Sequence, residues 1–156
     1  MSKVYVALGS NIGDREQYLR AAVTRLDQED GVNVLRLSSF LNTKAVTSEP
    51  QDDYLNAVVE LETSLTLRDF FQLTQGIESV LGRQDKGNQA PRTLDLDILF
   101  FDDTCVSDTD LVVPHAGIQD RLFVLEPLRE LVPDFVHPVL KQTVQTLYDQ
   151  CHEMAV

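Results

Sequence analysis

A chain of 156 residues with a formal net charge of −12 and 43% hydrophobic residues is long enough to bury a core of its own, and one domain over residues 1–156 is expected. Such an acidic chain makes a poor partner for a nucleic-acid backbone, which attracts basic surfaces. It has no apolar run long enough to span a bilayer, and Met1–Tyr5 lacks a signal-peptide profile, so a cytoplasmic monomer with free thiols at Cys105 and Cys151 is expected.

Val4, Val6 and Leu8 alternate with Tyr5 and Ala7, which predicts a first strand closed by a turn at Gly9-Ser10-Asn11-Ile12-Gly13. That turn lacks the Gly-Lys-Ser/Thr ending of a phosphate loop, and tight geometry alone explains its glycines. Asp14, with Gln17 three residues on, reads as the N-cap of a helix over about 15–28 carried by Leu19, Ala22, Val23 and Leu26. Gly31 breaks it, 32–41 is strand-like, and 42–53 reads as a polar loop. Leu55, Ala57, Val59 and Leu61, alternating with Asn56, Val58, Glu60 and Glu62, give a third strand. Thr66 and Asp69 open a second helix with a buried stripe of Phe70, Leu73, Ile77 and Val80, stopped at Gly82. A strand at 94–101 follows, then short strands near Cys105-Val106 and Leu111–Val113. Helices are expected at about 118–131, where Pro127 demands a break or a first-turn position, and at about 142–151. The order β-α-β-β-α-β is ferredoxin-like. It makes an α+β fold with helices packed on one face of a mostly antiparallel sheet, plus extra short strands and C-terminal helices.

Chemistry concentrates in Ala90-Pro91-Arg92-Thr93-Leu94-Asp95-Leu96-Asp97-Ile98-Leu99-Phe100-Phe101. Alternation along a strand sends Asp95 and Asp97 to one face, with Leu99 and Phe101 continuing it, and Leu94, Leu96, Ile98 and Phe100 to the other. Alone, an Asp-x-Asp pair suits a solvated strand face. Set among apolar neighbours, the two carboxylates repel each other and lose hydration, and a hard divalent cation relieves both. Arg83, Lys86 and Arg92 precede the pair, and with Asp85 the segment 83–92 still nets +2 in an otherwise acidic chain, which suits a small polyanion.

Other residues have ordinary readings as well as functional ones. Tyr54 and Asn56 share a strand face, where a ring and a carboxamide suit core packing or a flat heterocycle. Gln75 and Glu78 lie one helical turn apart, the usual mark of a solvent-facing pair, just before the basic segment. His115, Arg121 and Phe123 cluster after Pro114, and the first two are suited to phosphate oxygens. His115 has no second ligand at zinc spacing, and His137 and His152 read as surface residues.

Together these segments resemble the 6-hydroxymethyl-7,8-dihydropterin pyrophosphokinase family. Ala90–Leu99 matches its signature, and Gly9-Ser10-Asn11, Tyr54-Leu55-Asn56-Ala57 and Val113-Pro114-His115 with Arg121 and Phe123 fit in order and spacing. The resemblance implies the ferredoxin-like fold and transfer of the terminal diphosphate of ATP, the co-substrate, to the pterin hydroxymethyl group. It implies two magnesium ions on Asp95 and Asp97, with Arg83 and Arg92 joining these aspartates as catalytic residues. ATP is expected at Gln75, Glu78, Lys86, Ile98, His115 and Arg121, and the pterin at Thr43, Val46, Tyr54, Asn56 and Phe123. The partners implied are small molecules, neither nucleic acid nor membrane. The chain departs from the family pattern at Gln84-Asp85, at Lys44-Ala45-Val46, and at Asp110 and Val112. A nucleotide sensor without chemistry and a metal-dependent nuclease are the alternatives. The twin acids oppose the first and the acidic composition opposes the second.

Overall fold

A computed structural model describes residues 1–11, 14–43, 53–82 and 94–155. Its elements are β1 (Ser2–Ser10), α1 (Arg15–Gln28), β2 (Val32–Leu37), β3 (Leu41–Thr43), β4 (Tyr54–Thr63), α2 (Leu67–Gly82), β5 (Leu94–Phe101), β6 (Val106–Ser107), β7 (Val112–Val113), a 3₁₀ turn at Ile118–Asp120, α3 (Leu122–Leu131) and α4 (Val144–Ala155). The main sheet runs β2-β4-β1-β5 with every pairing antiparallel, and β3 adds to β4. That is the ferredoxin-like order. The region expected as one strand over 32–41 is two, because the chain leaves the sheet at Ser38–Phe40 and returns as β3.

Local chemistry sets the helix starts. The Asp14 side chain accepts from Gln17 N–H at 3.1 Å to begin α1, and the Thr66 hydroxyl accepts from Asp69 N–H at 3.2 Å to begin α2. Gly31 turns the chain out of α1 at φ +84°, a conformation that disfavours any side chain. Both helices lie on one face of the sheet, where Leu19, Leu26 and Phe70 are fully buried against Val4, Val6, Leu61, Leu96 and Ile98. Burying each such side chain contributes about 1.5–3 kcal/mol. Val80, expected in that stripe, is 47% exposed.

The helices do not all share one face. α3 and α4 cover half of the other, packing Val124, Leu125, Leu128, Val144 and Leu147 on Tyr5, Val58, Leu99 and Phe100. Pro127 sits inside α3 and not at a break, so the carbonyl of Phe123, one turn earlier, receives no helical hydrogen bond. Across this face, Glu60, Tyr5 and Phe100 form one cross-strand row. Glu60 accepts from Tyr5 Oη at 2.6 Å and from Arg36 Nε at 2.8 Å, and Arg36 Nη2 also donates to the Leu131 carbonyl, tying α3 to the sheet.

A bulge divides β5. Tyr5 pairs with Phe100 and Val6 with Ile98, so Leu99 is the extra residue and points to the same face as Phe100. Strict alternation had put Phe100 with the leucines and Phe101 with the aspartates. The bulge reverses both, and Phe101 joins the α1–α2 core.

Candidate active site

Along β1, the residues facing the α3–α4 side shrink from Tyr5 to Ala7 to Gly9. The next two cross-strand rows are Val58–Ala7–Asp97 and Asn56–Gly9–Asp95. Where the row centre is tyrosine, helices pack. Where it is alanine or glycine, a cavity of about 490 Å³ opens. Gly9 is therefore a strand residue of the cavity floor, and β1 runs on through Ser10, where a turn was expected to have begun. A Cβ at Gly9 would stand 3.3 Å from Asn56 Oδ1, so only glycine leaves the carboxamide its present place without a shift.

The cavity is lined by Thr43, Tyr54, Asn56, Asp95, Asp97, His115, Arg121 and Phe123, among others. β3 and β4 supply one end of it. Thr43 pairs with Tyr54, and Asn56 Nδ2 donates to Thr43 Oγ1 at 2.9 Å, which leaves the Asn56 carbonyl oxygen over Gly9. Half-buried Asp95 and Asp97 stand on the neighbouring edge of the ladder. Strand spacing sets Asn56 and Asp95 about 10 Å apart across β1, and the two aspartate Cα atoms about 7 Å apart along β5.

The third wall follows the cis Val113–Pro114 peptide. His115 N–H donates to the Leu99 carbonyl at 3.1 Å, fixing the residue against the bulge, and Gly117 N–H donates to His115 Nδ1 at 3.1 Å. Nδ1 is thus an acceptor, and the neutral ring carries its proton on Nε2. Burial lowers the His115 pKa below its ordinary 6.5, Asp97 draws it back up, and Arg121 pushes it down. Neutral His115 presents an N–H donor to the cavity without adding charge. The Arg121 guanidinium sits 5.8 Å from the Phe123 ring centre, both at the N-terminal end of α3.

The matching family model is that of 7,8-dihydro-6-hydroxymethylpterin-pyrophosphokinase (HPPK), over residues 5–133. The chain belongs to the HPPK family. The 2-amino-4-hydroxy-6-hydroxymethyldihydropteridine pyrophosphokinase of Bacillus subtilis strain 168 is 49% identical over 127 residues, covering 81% of this chain and 76% of that protein. The protein of the same name from Methylorubrum extorquens is 39% identical over 136 residues, covering 87% and 86%. Wild-type HPPK-DHPS of Plasmodium falciparum shares the fold, with a TM-score of 0.75 at 14% identity over 96% of this chain. The chain spans 43% of that longer protein.

Not every residue expected at the HPPK site reaches the cavity. Ile98 is 5% exposed and packs into the α1–α2 core, because it alternates with Asp97. Gln75 is exposed on α2, outside the cavity. Glu78 instead reaches the outer edge of β5, where its carboxylate accepts from Leu96 N–H at 2.8 Å, between the two aspartates. Arg83, Lys86, Arg92 and Val46 lie outside the described residues. Ala7 and Leu99 also line the cavity. Sequence reading treated Ala7 as an ordinary strand residue, and only the taper Tyr5-Ala7-Gly9 hints at its role.

The donors suit magnesium. Asp95 and Asp97 offer hard oxygens on one strand face beside an open cavity. Among the described residues no three His, Cys, Asp or Glu side chains form a metal cluster. Magnesium usually takes one or two carboxylates and completes its shell with water and substrate phosphates, so two aspartates suffice.

Proposed function

We propose that this cavity receives the pterin at Thr43, Tyr54, Asn56 and Phe123 and the triphosphate of ATP at Asp95, Asp97, His115 and Arg121. As an HPPK the chain transfers a pyrophosphoryl group to hydroxymethyldihydropterin in folate biosynthesis, and its residues divide the work as follows. Tyr54 and Phe123 stack on the two faces of the pterin, and Thr43 and Asn56 bond its edge, with Val46 completing the subsite. The pterin hydroxyl oxygen loses its proton to solvent and bonds to the β-phosphorus of ATP as the bond from that phosphorus to the α-phosphate oxygen breaks, releasing AMP and the pterin diphosphate.

Asp95 and Asp97 would hold magnesium, two ions on this reading, which would neutralise charge on the entering and leaving groups. His115 donates from Nε2 and Arg121 from its guanidinium fork to phosphate oxygens. Arg83, Lys86 and Arg92 add the positive charge that the segment 83–92 concentrates. Gln75 and Glu78 meet the nucleotide along the outer edge of β5, with Ile98 contributing through its backbone. Residues 1–156 work as one pyrophosphokinase domain, a cytoplasmic monomer.

The observation that carries this reading is that one cavity joins the twin aspartates to Tyr54, Asn56 and Phe123. With ATP, Mg²⁺ and 6-hydroxymethyl-7,8-dihydropterin, AMP should form only when the pterin is present, and chelation should stop it. Asp97→Asn should lower kcat by about 10²–10³-fold, taking the loss of one preorganised contact as a guide, while pterin affinity stays nearly unchanged. ATP binding without pterin-dependent AMP would favour the nucleotide sensor.

A further inference from the structure

Alternation in β3 and β4 puts Thr43, Tyr54 and Asn56 on the cavity face and turns Asn42 to the α1 face. There Arg15, the first residue of α1, meets both arms of the β3–β4 pair. Its Nη1 donates to Asn42 Oδ1 at 2.6 Å and to the Asp53 carbonyl at 2.8 Å, and Asn42 Nδ2 donates to Asp53 Oδ2 at 3.2 Å. Residues 42 and 53 directly precede Thr43 and Tyr54. The grip therefore acts from behind the sheet on the backbone of two cavity residues, and Arg15 is not among the residues lining the cavity.

The β3–β4 pair needs such a grip. β3 has three residues, and its connection to β4 spans 44–53, too long for turn geometry to set the register. A slip of one residue would turn Thr43 away from the cavity and break the Asn56–Thr43 hydrogen bond. We infer that Arg15 is a positioning residue for the pterin end of the site, holding Thr43 and Tyr54 in register through Asn42 and the Asp53 carbonyl. The inference rests on the assignment of Thr43, Tyr54 and Asn56 to the pterin.

Arg15→Ala should raise the KM for hydroxymethyldihydropterin about tenfold, the order expected when hydrogen bonds to a charged group are lost, with the KM for ATP unchanged. Asn42→Ala should raise it similarly, and the double variant should add little, because both break one clamp. An unchanged pterin KM, additive effects, or a joint rise of both KM values with a lowered Tm would each overturn the inference. Tyr54→Ala in the same assay separates the two levels. If it weakens pterin binding while Arg15→Ala does not, the clamp alone fails. If it leaves pterin binding intact, the subsite assignment fails and the clamp with it.

Discussion

The Arg121 guanidinium occupies the place that a side chain at Gly117 would need. A Cβ there would meet Arg121 Nε at 2.9 Å and Cζ at 3.2 Å, the far end of a flexible side chain. Gly117→Ala should therefore leave Tm unchanged yet displace the guanidinium, lowering kcat/KM by about tenfold in the AMP-release assay, the loss expected for one charged hydrogen bond. At this scale the sequence was most legible where chemistry contradicted its setting. Two acids in an apolar strand, and a histidine and an arginine beyond a proline, announced themselves by type and spacing. His137 did not. It is 4% exposed, its Nδ1 accepts from Val139 N–H and Leu140 N–H, and its ring lies edge-on to Phe100. Nothing near it in sequence shows that burial, because Phe100 lies far away along the chain. The side chain of Ile98 was legible from the same strand, since alternation with Asp97 already puts it in the core layer.

Among the elements, β5 is an edge strand of the sheet among the described residues, and its outer N–H at Leu96 is satisfied by Glu78. Glu78→Ala leaves that half-buried donor without its acceptor and should destabilise the fold by about 1–3 kcal/mol in denaturant unfolding, with Glu78→Gln recovering part of the loss through its amide oxygen. Helix starts were readable because Asp14 and Thr66 act on donors within their own turn. The bulge at Leu99, the split between β2 and β3, and the run of β1 to Ser10 were not. Each depends on what a partner strand offers opposite, and no local pattern records that. Arg15 went unnoticed for the same reason, because both its acceptors come from other elements.

At the scale of the whole molecule, the sheet carries a continuous core beneath α1 and α2 and a half-covered face that holds the site. The order of elements predicted the first layer. It could not assign the C-terminal helices to the second, because their apolar stripes fit either side of a sheet. The second core is also where acid should act. Burial lowers the pKa of His137 below its ordinary 6.5. Below that pH the unfolded chain binds a proton more readily than the folded one, so stability should fall as pH drops from 7 towards the folded-state value. His115, shifted the same way, adds to the slope. Tm measured from pH 7 to 5 should fall less steeply in His137→Asn, which keeps an acceptor for the two backbone donors and cannot titrate. The extra residue at Leu99 bears on every part of this arrangement. With it, one strand turns its acids to the cavity while its phenylalanines serve two different cores. Deleting Leu99 would return the strand to plain alternation and leave Asp95, Asp97, Phe100 and Phe101 on their present faces, so the strand can shed a residue there without exchanging its inside for its outside.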